Sequence, residues 1–125
     1  MPTPAPAKIV FTEIPAADTD RAVRFYEALF GAALTRIDDG PNPIWMFPAA
    51  EGSAPIGHLY PGEPATDGAG MTAHFAVLDT LDGAMARVRD GGGTVVSDVI
   101  EIYSGAFFYA KDSEGNSIGL FKYKV

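Results

Sequence analysis

The chain has 125 residues, of which 47% are hydrophobic and 20% are charged, a balance typical of a folded domain rather than of a disordered segment. Its formal net charge of −7 and its nine scattered Lys and Arg residues argue against the basic surface that nucleic-acid binding requires. It has no cysteine, which removes disulfides, thiolate nucleophiles and Cys-ligated metal sites and favours a reducing compartment.

The first residues, MPTPAPAK, predict a short flexible tail over 1–7 that lacks the apolar core of a signal peptide. No run approaches the ~18 apolar residues of a membrane span. We therefore expect a soluble, cytoplasmic protein with no nucleic-acid or membrane partner, in which one domain covers residues 8–125.

The first half of the chain predicts a strand, a helix and three further strands. KIVFTEI over 8–14 is strand-like, and a helix follows from Asp18 or Thr19, either of which can cap it. The helix carries the i, i+3, i+4, i+7 and i+8 apolar spacing of a core-facing stripe, and Gly31 ends it. The strand candidates that follow are 33–37, 44–47 and 54–60.

The Pro- and Gly-rich segment 61–70 predicts a linker, after which the same order of elements returns. Strand 71–78 leads into a helix from Asp79 or Thr80, which the glycines at 91–93 stop. Further strand candidates are 94–102, 106–111 and 117–123, with a tight turn at 112–116. The sequence thus predicts an α+β fold of two βαβββ modules, about 8–60 and 71–123, joined by the linker.

Three stretches of the chain resemble the vicinal oxygen chelate superfamily: FTEIPAADTDRAVRFYEALFG, AHFAVLDTLDGAMARVRDGGGTVV and FYAKDSEGNSIGLF. The superfamily includes glyoxalase I, extradiol dioxygenases, fosfomycin-resistance proteins and the metal-free bleomycin-resistance proteins. The resemblance covers residues 8–123, and FYEALFG and the D-x-x-G-N-x-I-G-L turn are its most specific parts. The EIPAAD start is similar to the glyoxalase-related, uncharacterised branch, although Ala32 replaces a frequent tryptophan and Ser113 the usual proline of the turn.

The resemblance implies a half-open barrel around a cavity and, in the metal enzymes, four ligands from the first and fourth strands of each module. These positions fall on Phe11, His58, His74 and Gly119, and the two histidines are the only ones in the chain. Catalytic zinc generally needs three protein ligands, and non-haem iron needs two His and one carboxylate. Glu13 is the nearest replacement carboxylate, but two strand residues span about 6.6 Å, so the metal would have to move.

Each of these positions keeps more than one interpretation. His58 and His74 can be interpreted as metal ligands, as pocket-lining residues or as ordinary structural histidines. Glu13 is a substitute ligand or a polar residue at the cavity rim or dimer edge. Gly119 leaves space for a ligand or another backbone, or it marks a bulge or a tight packing contact.

Strand alternation predicts which other residues share the cavity, a largely apolar chamber with few polar groups that is typical of a small-molecule site. Each of four aromatic residues lies in a continuously apolar run, so the pattern does not show which face of its strand the side chain occupies. These candidates for an aromatic wall of the cavity are Trp45, Phe107, Phe108 and Tyr109. The predicted ligand-binding residues are Phe11, Glu13, Ile56, His58, Tyr60, Thr72, His74, Ser117, Gly119 and Phe121.

The leading hypothesis is a glyoxalase- or bleomycin-resistance-like protein that binds a small organic molecule in a cavity with a degenerate metal site and no cofactor. The resemblance also implies a homodimer. The first alternative is a metal-dependent lyase, isomerase or dioxygenase in which His58 and His74 hold Zn, Ni, Fe or Mn. The second is a metal-independent enzyme with Glu13 or a histidine as general base, so the candidate catalytic residues are Glu13, His58 and His74.

Overall fold

The computed structural model describes residues 7–124, which form two helices and nine strands. The first half contains β1 (Thr12–Ala16), α1 (Thr19–Phe30), β2 (Thr35–Ile37), β3 (Ile44–Met46) and β4 (Gly57–Pro61). The second half contains β5 (Ala73–Ala76), α2 (Leu81–Asp90), β6 (Thr94–Val95), β7 (Ile100–Ile102), β8 (Gly105–Lys111) and β9 (Ser117–Tyr123). A short 3₁₀ turn, Thr66–Gly68, lies between them, and the α+β class is confirmed.

The strands form two separate curved sheets, one from each half of the chain. The first has the order β1-β4-β3-β2, and the second has the order β5-β9-β8-β6 with β7 also paired to β8. In both sheets the first strand runs parallel to the last strand of its half. This pairing sets Glu13 beside His58 in the first sheet and His74 beside Gly119 in the second.

Strand β1 begins at Thr12, so the predicted start at Lys8 is wrong. The Thr12 N–H donates to the Ile56 carbonyl at 2.8 Å, where pairing with the β4 segment starts. Before that point Ile9 and Val10 are largely exposed, so no burial fixes a longer strand. The predicted tail over 1–7 lies outside the described residues except for its last residue.

The predicted strand 94–102 is also wrong as a single element, because it is divided into β6 and β7. The N–H groups of Val96 and Ser97 both donate to the Tyr109 carbonyl, at 2.9 and 3.3 Å. Two residues opposite one is the pairing of a β-bulge, which bends a strand and ends its regular ladder. The second half therefore has one more strand than the predicted βαβββ order.

Local capping defines both helices. The Asp18 carboxylate accepts from the Arg21 N–H at 3.1 Å, and Gly31 closes α1 in the left-handed conformation with φ of 67°. In α2 the Thr80 hydroxyl accepts from the Gly83 N–H at 3.0 Å. Asp18 and Thr80 are thus the caps among the predicted alternatives. In the described part of the chain, no helix has the length and apolarity to cross a membrane.

Both helices and the inner faces of both sheets share one hydrophobic core. The Phe75 ring of β5 meets Tyr26 and Phe30 of α1, with centroid distances of 5.9 and 5.3 Å. Between the helices, the Arg87 guanidinium donates to the Leu29 carbonyl at 3.1 Å. Because the core takes one face of each sheet, the opposite faces remain open, and the candidate site residues lie there.

A buried hydrogen-bond hub ties the predicted 112–116 turn to α1. Asp112 is only 3% exposed and accepts from the Tyr26 hydroxyl at 2.6 Å. It also accepts from the backbone N–H groups of Glu114 and Asn116, at 2.8 and 2.9 Å. Burial, then the neighbouring Asp112 carboxylate, raises the pKa of Tyr26 well above its usual value, so the hydroxyl keeps its proton.

An ion pair adds to this connection between the halves. The buried Glu114 carboxylate accepts from the Arg21 Nε at 2.7 Å and from the Asp18 N–H at 2.8 Å. The Asn116 side-chain amide donates to the Pro15 carbonyl at 2.9 Å. The turn therefore fixes where the second sheet lies relative to the start of α1.

Candidate functional site

The open face of each sheet carries a cavity of about 460 Å³. The first cavity lies on the first sheet, and its lining includes Glu13, Asp39, Ile44, His58 and Tyr60. The second lies on the second sheet, and its lining includes His74, Ile102, Phe107, Phe121 and Tyr123. Within one chain, the two histidines therefore belong to different cavities.

In the first cavity, His58 is held between an acid and an aromatic ring. Its side chain is 12% exposed, and its Nε2 lies 3.6 Å from a Glu13 carboxylate oxygen. The Phe11 ring meets the imidazole edge-on at 5.2 Å. The other nitrogen, Nδ1, is buried and has no hydrogen-bond partner among the described residues. The only side-chain nitrogen of His58 with a polar neighbour is thus the one near Glu13.

In the second cavity, His74 lies within an aromatic cluster that we call the aromatic wall: His74, Phe107, Tyr109, Phe121 and Tyr123. The imidazole centroid is 5.3 Å from Phe107, 5.8 Å from Tyr109 and 6.2 Å from Phe121. Phe107 and Phe121 are cross-strand partners whose ring planes differ by only 8°. Tyr123 extends the wall, 4.9 Å from Phe121.

The structure settles which way the ambiguous aromatic residues face. Phe107 and Tyr109 belong to the aromatic wall, whereas Phe108 between them is fully buried in the core. Trp45 packs against the core and has the Arg36 guanidinium 5.5 Å from its ring centroid. Strand alternation explains this division, since neighbours along β8 point to opposite faces.

Gly119 is a glycine because His74 occupies the space where its side chain would be. A Cβ at this position would overlap the Nδ1–Cε1 side of the His74 imidazole. The two residues are register partners on β5 and β9, so strand pairing places them side by side and the His74 rotamer makes the contact. Of the interpretations of Gly119, the geometry favours tight packing, and the packed group is a candidate functional side chain.

His74 is suited to act as a neutral group. Partial desolvation by the neighbouring rings lowers the pKa of its imidazole below the usual 6.5, although His74 remains an exposed residue in this chain. At neutral pH the ring is therefore uncharged, with one nitrogen able to donate and one able to accept.

Of the remaining predicted site residues, Tyr60 lines the first cavity, whereas Ile56, Thr72 and Ser117 lie outside both linings. The Tyr60 ring centroid lies 6.4 Å from that of His58. Ile56 precedes β4 and is 52% exposed. Thr72 and Ser117 bond to each other through their hydroxyl groups, near the starts of β5 and β9.

The potential metal-ligating side chains of one chain do not form the four-ligand site that the resemblance implies. Among residues 7–124, no three His, Asp or Glu side chains come together as a metal-binding group. Phe11 and Gly119 supply no donor atom. A metal-binding histidine almost always donates its second N–H to a partner, yet His58 Nδ1 has none among the described residues.

Several lining residues were not predicted. Tyr123 follows Phe121 by two positions, so extending the strand alternation would have found it. Asp39 and Ile102 come from a turn and from the strand after the β-bulge. No periodic signal marks these two, because their positions depend on how the chain bends.

Solved structures with low sequence identity share this fold. They include the hypothetical protein SA1046 from S. aureus, with a TM-score of 0.72, 16% identity, and 94% of this chain and 95% of that chain covered. A glyoxalase/bleomycin resistance protein from Albidiferax ferrireducens T118 has a TM-score of 0.66, 21% identity, and 92% and 98% coverage. The fosfomycin resistance protein FosX from Mesorhizobium loti has a TM-score of 0.66, 15% identity, and 97% and 96% coverage.

Sequence comparison agrees with the fold. Among proteins with curated descriptions, none matches the chain. The sequence model of the Glyoxalase/Bleomycin resistance protein/Dioxygenase superfamily matches residues 8–120, nearly the whole chain. The D-x-x-G-N turn and the paired modules from which the resemblance was inferred lie largely within that match. The protein therefore belongs to the glyoxalase/bleomycin resistance protein/dioxygenase superfamily.

Proposed function

We propose that the protein binds a small, largely apolar organic molecule without a metal. One observation carries this proposal: His74 is seated on Gly119, at the position where the resemblance places a metal-binding carboxylate. The imidazole is uncharged and surrounded by aromatic rings, in a cavity of small-molecule size. Such a surface favours apolar contacts with one or two directed hydrogen bonds.

The proposal includes a homodimer in which the open sheet face of one copy covers that of the other. Strands β1 and β5 lie at sheet ends, and large apolar side chains beside them are exposed: Ile9, Val10, Met71 and Leu78. Burying such a surface in a second copy would enclose both cavities. Light scattering after gel filtration should give about twice the chain mass of 13.2 kDa. The lack of cysteine supports a cytoplasmic location for this dimer.

A ligand screen under metal-free conditions tests this function. Protein purified without a His tag and treated with EDTA is screened by thermal shift, and hits are measured by calorimetry. We expect at least one organic ligand whose Kd is the same with and without EDTA. His74→Ala should weaken binding by about tenfold, through lost contacts in the wall. Binding that requires added metal, or no binding by any compound, would contradict the proposal.

The pair Glu13–His58 supports a second candidate, a metal-independent acid–base enzyme. The two groups are 3.6 Å apart, beyond hydrogen-bonding distance, so a small side-chain movement would bring the carboxylate to the imidazole N–H and orient the ring. A ligand found in the screen should then be converted to product. Glu13→Gln should abolish turnover even at saturating ligand concentration. Unaltered ligand after prolonged incubation with the wild-type protein would leave binding as the function.

A further inference from the structure

The charges that line the two cavities are not those that would bind an anionic ligand. Among the described residues, no Lys or Arg lines either cavity. Several cations are instead held elsewhere by acids, as in the pairs Arg21–Glu114, Arg87–Asp79 and Lys111–Asp67. A phosphonate or carboxylate ligand would therefore enter without a bidentate or point-charge partner.

The first cavity adds negative charge. Glu13 and Asp39 both line it, and the Glu13 side chain is 68% exposed, so its carboxylate is accessible to a ligand. The only basic side chain in this lining is His58, which is next to Glu13. The cavity therefore favours a positive group over a negative one.

The second cavity adds aromatic surface without formal charge. Phe107, Phe121 and Tyr123 line it together with the neutral His74. Aromatic rings stack on flat ligands, and their faces attract cations. Both cavities thus favour a cationic ligand, the first through its carboxylates and the second through the faces of its aromatic rings.

We propose that the ligand is a flat aromatic molecule that carries a positive charge. Its ring lies on the aromatic wall, and its charged group faces the Glu13 and Asp39 carboxylates. This inference rests on the proposed function, because one ligand can contact both cavities only if the proposed dimer places the second cavity of one copy opposite the first cavity of the other. It also separates this chain from relatives described as fosfomycin resistance proteins, since fosfomycin is an anionic phosphonate.

Three matched probes test the sign of the charge: 1-naphthylmethylammonium, 1-naphthylmethanol and 1-naphthylacetate. They share one flat bicyclic ring and differ in charge. Calorimetry on the full EDTA-treated protein should show the ammonium binding at least about tenfold tighter than the carboxylate, with the alcohol between them. Raising the salt concentration should reduce this ratio, because it screens the exposed carboxylates.

Two pairs of variants assign the effect to the cavities. Glu13→Gln with Asp39→Asn should reduce the ammonium-to-carboxylate ratio to about threefold or less. Glu51→Gln with Asp90→Asn removes the same charge outside the linings and should leave the ratio unchanged. Phe107→Leu should weaken all three probes, whereas Tyr103→Leu, at a residue 98% exposed, should not. Circular dichroism confirms that each variant is folded.

The outcomes separate this inference from the proposed function. Equal or tighter binding of the carboxylate would overturn the charge assignment and leave small-molecule binding intact. Failure of all three probes, while a compound from the ligand screen still binds, would overturn the aromatic-cation class alone. Failure of the probes and of the whole screen would remove both proposals.

Discussion

At Gly119 and His74, two neighbouring residues on parallel strands explain each other. A glycine inside a strand is unfavourable because it loses much conformational freedom and packs no side chain. Glycine nevertheless fits position 119, because the His74 ring lies where the Cβ of any other residue would be. The effect of replacing Gly119 on the free energy of unfolding should therefore depend on the residue type at position 74.

Gly119→Ala should destabilise the wild-type protein by about 1–3 kcal/mol, because the new methyl group collides with the imidazole. In a His74→Ala background the same change should be neutral or stabilising by a few tenths of a kcal/mol, since alanine suits a strand better than glycine. Urea denaturation of the four proteins gives the coupling free energy. Equal costs in both backgrounds would show that His74 does not occupy this space.

The pH dependence of His74 gives a second prediction. Because its folded pKa is lowered by burial, the unfolded chain binds more protons as pH falls below 6.5. The free energy of unfolding should therefore decrease from about pH 6.5 downward until the folded pKa is passed. His74→Ala should remove this part of the slope.

NMR measures the same quantity directly. With only two histidines in the chain, the Cε1–H signals can be assigned with one His74→Ala spectrum. The wild-type His74 signal should titrate below 6.5. A His74 signal that titrates above 6.5 would contradict the desolvation of its ring.

At the scale of elements, the 112–116 turn is a connector between the halves as well as a link between β8 and β9. Asp112, the first residue of the turn, accepts four hydrogen bonds, from the Tyr26 hydroxyl, the Asn116 amide and two backbone N–H groups. A buried carboxylate is stable only when such donors surround it. Loss of one donor should therefore be measurable in the stability of the whole domain.

Tyr26→Phe should lower the free energy of unfolding by about 1–2 kcal/mol, because it removes the hydroxyl that donates to buried Asp112. Chemical denaturation checks this value. Tyr103→Phe is the matched control, since that hydroxyl is on a residue 98% exposed, and it should change nothing. An unchanged stability in Tyr26→Phe would show that the buried carboxylate does not depend on this donor.

Local signals explain which elements the sequence predicted. Capping residues and the helical spacing of apolar residues predicted both helices. The turn at 112–116 was predicted because its Asp, Ser, Gly and Asn residues are the types that most often form turns. The start of β1 and the β-bulge after Val95 were missed, since both depend on hydrogen bonds to distant strands. The resemblance assigned His74 and Gly119 to one site, but their contact was not predicted, because it depends on a side-chain rotamer.

At the scale of the whole molecule, the two sheets present two open cavities rather than one closed chamber. Sequence alternation assigned the ten predicted site residues to strands, but Phe11, Ile56 and Thr72 lie just outside β1, β4 and β5. It also carried no information on the distance between the sheets. The proposed dimer would bring His58 and Glu13 of one copy towards the second cavity of the other. That arrangement is also the one in which a metal site could still assemble, so metal binding is the sharpest question for the whole protein.

Titration of tag-free protein with Zn²⁺, Ni²⁺ and Fe²⁺ by calorimetry, beside His58→Ala and His74→Ala, tests whether the protein functions without a metal. We expect no tight stoichiometric binding in the wild-type protein, and the same weak heats in both variants. Phe11 and Gly119 supply no donors, and His58 Nδ1 has no hydrogen-bond partner among the described residues. One tightly bound ion per site that disappears in both variants would show that the two histidines hold a metal and that metal-free binding is wrong.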